Sequence, residues 1–281
     1  MIRLVKPFIP VPFRRALRAA QSRLVHEWRR RLSPNWCPVC EQAPESFKPI
    51  DPALAEQCRR HGFELDLRQW ETLNVDRYNC PRCDATDRDR LYALYLSRRL
   101  TGVRAPFRFI DFAPSYSLSK WIRKSFRLDY RTADLLMEGV DDRVDLTDLR
   151  VYPDGSVDAF LCSHVLEHVR DDLKAMRELF RILRPGGWGI LMVPICLSVP
   201  QIREDPAQAA TEAERWRYFG QGDHLRIYNK KGFTDRLAAA GFRVKSFGVQ
   251  DFGAITFRRC GIAPSSVLYV GEKSASAKQV S

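Results

Sequence analysis

Four of the eight cysteines fall in two pairs, Cys37-Pro-Val-Cys40 and Cys80-Pro-Arg-Cys83. Two thiolates on one tight turn point the same way, so each pair suits one side of a tetrahedral ion, and the proline after the first cysteine helps set the turn. Two such pairs supply four sulfur ligands and leave no position for water. Cys37, Cys40, Cys80 and Cys83 therefore read as a structural zinc site rather than a catalytic one. Cys58 and His61 lie between the pairs and read either as stray ligands or as local packing. A second set of chemically capable residues stands at the ends of apolar runs or, for Asp145, in the acidic stretch 141–148 between them: Asp111, Asp134, Asp145, Ser163 and His164. Any one of them alone is a capping or turn residue. As a row they mark the rim of a ligand site, provided the runs lie side by side as strands.

The elements that would align them can be read from periodicity. Residues 107–112, 129–135, 156–163 and 188–194 are strand-like, and the third and fourth are almost continuously apolar. Between and after them, 117–126, 171–183 and 231–240 carry helical spacing, the second closed by Arg184-Pro-Gly-Gly187 and the third by Gly241. Further strands fit 242–247 and 267–270. Alternating helices with buried strands predict an α/β fold with a mostly parallel sheet covered on both faces. Ligands on such sheets bind at the carboxyl ends of the strands. Asp134 follows Asp111 by 23 residues, about where an acid meets ribose hydroxyls in nucleotide folds. A helix over 89–100 would join the cysteine module to this body.

The chain has 281 residues, enough for such a domain plus a smaller module. No run approaches a transmembrane length, and no secretory signal precedes the cysteines, so a reducing, cytoplasmic setting and metal-bound thiols are expected. Of the net charge of +12, residues 1–33 carry +8, with nine Lys/Arg against Glu27. Phe13, Leu17, Ala20, Leu24, Trp28 and Leu32 recur at helical spacing there. This basic amphipathic segment either packs its stripe on the body, lies on an anionic membrane surface, or contacts RNA. The organisation expected is a basic segment (1–33), a zinc-binding module with its linking helix (34–100), the α/β domain (101–271) and a disordered tail (272–281).

The segment Asp154-GSVDAFLCSHVLEHVRDDLKAMRELFRILRPGGWGILMVP-Ile195 resembles the central motifs of class I S-adenosylmethionine (SAM) dependent methyltransferases. Residues 219–244 match a later helix–strand unit of that family. The stretch from Cys80 to Arg98, joined to a first loop without glycine, is similar to a bacterial subfamily with an N-terminal four-cysteine zinc-binding region. The resemblance covers about residues 37–250 and implies a seven-stranded, Rossmann-like sheet with one antiparallel strand near the carboxyl end. It places Asp111, Ala113 and Ser115 near the methionine part of SAM, Asp134 on the ribose, Asp145 and Leu146 beside the adenine, and Ser163 and His164 beneath the methyl group. The departure is the loop Asp-Phe-Ala-Pro-Ser, where a glycine-rich turn is usual. SAM carries no phosphate to cradle, so a turn of small residues suffices.

Methyl transfer to oxygen or nitrogen calls for alignment and often a base. His164 and His224 are the candidates, and His168 reads as a surface residue on the first turns of a helix. Residues 212–219, rich in arginine and aromatics, could form a lid. No Asn/Asp-Pro-Pro-Tyr/Phe tetrad follows residue 163, which disfavours base amines as acceptors. The expected acceptor is a small molecule, sugar or lipid-linked glycan, the last agreeing with peripheral membrane contact through the N-terminal segment. The alternatives are a ribosomal or transfer RNA methyltransferase, opposed by the near-neutral body, and a non-catalytic binding module.

Overall fold

The computed structural model describes residues 33–275. The basic segment read as an amphipathic helix therefore lies outside the described residues, apart from Ser33. So do the last six residues of the tail.

The first elements are helix α1 (Pro52–Arg60) and helix α2 (Asp87–Arg99). α2 starts at a capping box: the Thr86 hydroxyl accepts from the Asp89 amide while the Asp89 carboxylate accepts from the Thr86 amide. Such reciprocal capping contributes about 1 kcal/mol. The body follows as β1 (Arg108–Phe112), α3 (Tyr116–Ser125), β2 (Asp129–Asp134), the two-residue β3 (Asp142–Arg143) and β4 (Val157–Ser163). It continues through α4 (Asp172–Ile182), β5 (Leu183–Met192), α5 (Glu212–Phe219), α6 (Lys230–Ala239) and β6 (Arg243–Phe247). Two short helices, α7 (Val249–Phe252) and α8 (Ala254–Arg259), lead to β7 (Leu268–Glu272).

The seven strands form one sheet in the order β3-β2-β1-β4-β5-β7-β6, with β7 antiparallel to both of its neighbours. The expected seven-stranded, mostly parallel sheet is thus observed. The order reverses between β1 and β4, and the crevice beyond their carboxyl ends is where a ligand can enter. Phe109, Ile110, Phe160, Ile190 and Val270 are completely buried along the central strands, each contributing roughly 1.5–3 kcal/mol by leaving water.

Three boundaries differ from the sequence reading. Arg184-Pro-Gly-Gly187, expected to end a helix, lies inside β5. The ladder to β4 jumps there from Val157↔Leu183 to Ala159↔Trp188, and this bulge accommodates Pro185 and the positive φ of Gly186. β7 runs on through Glu272, whose carboxylate takes Arg243 and Lys245, so the tail begins later than 272. His168 is not on a helix: residues 165–170 form turns, and α4 begins only at Asp172.

The cysteine module shares the core of the body. Cys37, Val39, Phe47 and Cys80 pack in one cluster with α2 and the sheet. The segment after α1 is stitched on as well. Glu71 N donates to Ile195 O, Leu197 N donates to Gln69 O, and the buried Glu71 carboxylate accepts from Tyr269 Oη at 2.6 Å. This fixes Trp70 as a wall beside the chain leaving β5.

Candidate active site

The two cysteine turns are built alike. Cys37 N donates to Gln42 O and Cys80 N to Ala85 O, both at 2.9 Å. The residues just after each pair, Glu41 and Asp84, both take a left-handed φ. Cys37 Sγ stands 3.8 Å from Cys83 Sγ, and Cys40 Sγ 3.8 Å from Cys80 Sγ. A tetrahedral ion with metal–sulfur bonds of ~2.3 Å needs sulfur–sulfur edges of about 3.8 Å, so the four thiols fit such an ion. Cys58 and His61 take no part: the Cys58 thiol points to Gly220 O at 3.7 Å, and His61 stacks on Trp216.

At the sheet rim, the chain leaves β1 through Ala113 and β4 through His164, and both residues have a left-handed φ, +53° and +57°. A side chain there costs about 1 kcal/mol or more relative to glycine. The loop without glycine thus keeps the backbone path that glycine would favour. The row of polar groups lies around this point, divided among three cavities. A cleft of about 810 Å³ is lined by Ala113, Asp134, Asp145, Leu146 and His164. A smaller one of about 140 Å³ takes Asp111, Ser115 and Ser163, with Ala113 and His164 on its border. A third, of about 240 Å³, lies under the cysteine module between Phe63, Trp70, Tyr78, Phe219 and His224. His164 lines all three, and His168 lines the first and third.

The first cleft fits SAM in size and chemistry. Its volume is within the range of small-molecule sites. Leu135 and Leu136 stay 50% and 77% exposed on its wall, apolar surface that an adenine would cover. The Asp134 Oδ1 is used locally, accepting from the amides of Leu136 and Met137 at 2.7 Å, which fixes the carboxylate at the rim. Asp145 is exposed and similarly tied to Thr147. In the adjoining cavity, Asp111 is fully buried. Tyr130 Oη donates to its Oδ2 at 2.5 Å, and its Oδ1 has no hydrogen-bond partner among the described residues. Burial pushes its pKa up to about 7, with the Tyr130 bond pulling the other way. A buried acceptor without a donor, opening on a cleft, suits the ammonium end of an amino-acid ligand.

α2 brings three side chains to this rim that the sequence reading left out. Arg88 Nη1 lies 2.6 Å from His164 Nδ1 and 2.5 Å from Nε2, Tyr92 Oη is 2.8 Å from Ser163 Oγ, and the Ser115 hydroxyl donates to Asp89 Oδ1 at 2.9 Å. A guanidinium has only protons to give, and its positive charge beside the ring disfavours the imidazolium form of His164. Burial, with Arg88 beside it, pushes its pKa down to about 4. His224 is also buried and lowered by burial. Its ring meets that of His168 at 4.8 Å. The pairing of Arg88, Tyr92 and Asp89 with the rim was signalled only by their helical spacing next to Cys83.

Comparison with known proteins agrees with this geometry. Residues 33–246 match the family described as Methyltransferase domain. Over 93 residues the chain is 31% identical to a probable S-adenosylmethionine-dependent methyltransferase of Mycolicibacterium smegmatis, covering 33% of this chain. The match spans only about a third, 31%, of that relative's length. Among solved structures, a SAM-dependent methyltransferase from Archaeoglobus fulgidus is 12% identical, covering 68% of this chain and 96% of that one, with a TM-score of 0.43. Phosphoethanolamine N-methyltransferase 2 of Haemonchus contortus, solved with S-adenosyl-L-methionine, is 11% identical, covering 70% and 54%, again with a TM-score of 0.43. Likeness at that level carries no argument about chemistry. The fold and rim define the SAM-dependent methyltransferase class, and the chain belongs to the methyltransferase domain family.

Proposed function

We propose that this chain transfers the methyl group of SAM to an oxygen or nitrogen of a small acceptor, such as a small molecule or one sugar of a lipid-linked glycan. When bound, SAM supplies an electrophilic methyl on a sulfonium. Asp134 holds the ribose, Leu146 and Asp145 flank the adenine, and Asp111, Ala113 and Ser115 meet the amino-acid end. Cys37, Cys40, Cys80 and Cys83 hold a zinc ion that staples the module to the body. The observation that carries the acceptor reading is the cavity of about 240 Å³ under the module, which meets the large cleft at His164 and His168. Its size lies below that of a drug-sized site, and its lining combines apolar and aromatic side chains, Phe63, Trp70 and Leu73 among them, with Arg88, Glu167 and three histidines. That suits a small acceptor, or one ring of a larger one, better than structured RNA.

The residues here orient the acceptor, exclude water and hold its proton. His224, packed on His168 with its Nδ1 unpartnered, takes the acceptor's proton, and His164, held by Arg88 at the junction, orients the acceptor atom. Isotope-labelled SAM offered to separated small-molecule, lipid, glycan and RNA fractions tests this. Label is expected in the small-molecule, lipid or glycan fraction; label only in RNA overturns the acceptor class.

A further inference from the structure

The turn after β4 carries a buried carboxylate with nothing to hold. Glu167 is fully buried, and neither of its oxygens has a hydrogen-bond partner among the described residues. His164 Nδ1 comes no closer than 3.4 Å. His224, 4% exposed, also leaves its Nδ1 unpartnered. Buried charges are normally paired or bound to metal, because an unpaired one forfeits its hydration. One ligand atom from each of Glu167, His168 and His224 lies within 4.8 Å of the other two.

We propose that Glu167, His168 and His224 bind a divalent cation of the zinc, manganese or iron(II) class, separate from the four-thiolate site. Two imidazoles and one carboxylate form a ligand set that suits such ions and leaves coordination positions open. The tautomer is already set for His168. Its Nδ1 is 3.2 Å from Asp223 O, so the N–H on that side donates to the carbonyl and the Nε2 lone pair faces Glu167 at 3.9 Å. The turn is clamped as well. Buried Arg226, two residues after His224, donates to Leu166 O and Arg170 O at 2.8 Å and to Val169 O at 2.5 Å, while Leu225 N donates to Glu167 O at 2.9 Å. Both ligand segments are therefore fixed to each other by backbone contacts. Bonds of ~2.1 Å to a tetrahedral ion require ligand atoms about 3.4 Å apart, so the side chains close by roughly an ångström on binding.

The three residues line the cavity under the module. The open positions of the ion then face the acceptor, which narrows the acceptor to one with a hydroxyl that the cation binds and acidifies. This last step rests on the acceptor reading given above; cation binding itself does not. His224 serves as a ligand in this arrangement.

The test adds Mn²⁺ to full-length protein already carrying one zinc per chain. Bound manganese is counted by electron paramagnetic resonance, and SAM's demethylated product is titrated calorimetrically into the same samples. One Mn²⁺ per chain, with ¹⁴N couplings from histidine in the pulsed spectrum and at least tenfold weaker binding in Glu167→Gln and His168→Gln, supports the site. The ¹⁴N couplings need only the unsubstituted protein, so they decide even where a variant misfolds. No Mn²⁺, Co²⁺ or second Zn²⁺ bound, or binding unchanged by Glu167→Gln, overturns it. Cation bound with no heat from the demethylated product keeps the site and removes the methyltransfer reading.

Discussion

Arg88 Nη1 sits 2.6 Å from His164 Nδ1, and this contact joins the cysteine module to the point where three cavities meet. Arg88 is five residues past Cys83, and its other amino group donates to Tyr78 Oη at 3.0 Å. The guanidinium orients the imidazole and disfavours its charged form. Arg88→Ala frees the ring to turn, and a displaced catalytic group costs on the order of 100-fold in turnover. Steady-state kinetics with the identified acceptor should show this fall in kcat/KM, with affinity for the demethylated cofactor changed by less than about threefold. Equal losses in both would show that Arg88 supports the cofactor cleft rather than His164.

Metal removal should reach the same place by another path. The four thiols and the start of α2 share one buried cluster with the sheet. Asp89 of α2 holds Ser115 of the first loop. Cys80→Ser, or exhaustive chelation, is expected to lower the melting temperature by ~10 °C or more and to weaken cofactor binding with it. A chelated protein that keeps its melting temperature would separate the ion from the fold.

Asp111 gives a pH signature. Its folded pKa, about 7, is raised by burial above the unfolded value of about 3.9. Between those values the folded chain keeps a proton that the unfolded chain has lost. Stability therefore falls as pH rises through that window and levels off above it. Asp87, raised by burial to about 6, adds to the same slope. Asp111→Asn stays neutral at every pH. Urea unfolding should find the variant gaining on the wild type between pH 5 and pH 8, by on the order of a few kcal/mol. An identical pH slope in the two proteins would show that Asp111 ionises freely in the fold.

Arg90 holds the module shut. It is fully buried, lies 4.1 Å over the Phe47 ring, and donates to five carbonyls: Cys260, Tyr78, Ala85, Arg77 and Gly261. Arg90→Met fills the space but leaves those oxygens without donors, which is expected to cost about 3–5 kcal/mol. Denaturant unfolding measures it; a cost below about 1 kcal/mol would mean that water replaces the guanidinium.

The sheet and its acidic rim were legible because buried parallel strands are apolar throughout, so Asp111, Asp134 and Ser163 stand out where the runs end. The cysteine turns followed from local spacing in the same way, whereas the antiparallel direction of the last strand came only with the resemblance to the methyltransferases. His168 was misplaced because Val165-Leu-Glu-His-Val-Arg170 has the composition of a helix start. Arg226, 58 residues after His168, instead pins that stretch as a turn. The wall of the third cavity was unreadable for a related reason. Residues 61–78 carry little periodicity, and their position depends on pairing of Trp70 with Cys196, far along the chain. Contacts of that range leave no local pattern.

The central claim is that the rim formed by Ala113, Asp134 and His164 binds SAM despite a first loop without glycine. Isothermal titration of SAM and its demethylated product into metal-loaded protein tests it most directly, with Asp134→Ala as the comparison. The account predicts one site per chain and a loss of about 1.5–3 kcal/mol in the variant. Absence of heat and of any thermal shift with either ligand, or equal affinity in Asp134→Ala, would contradict it.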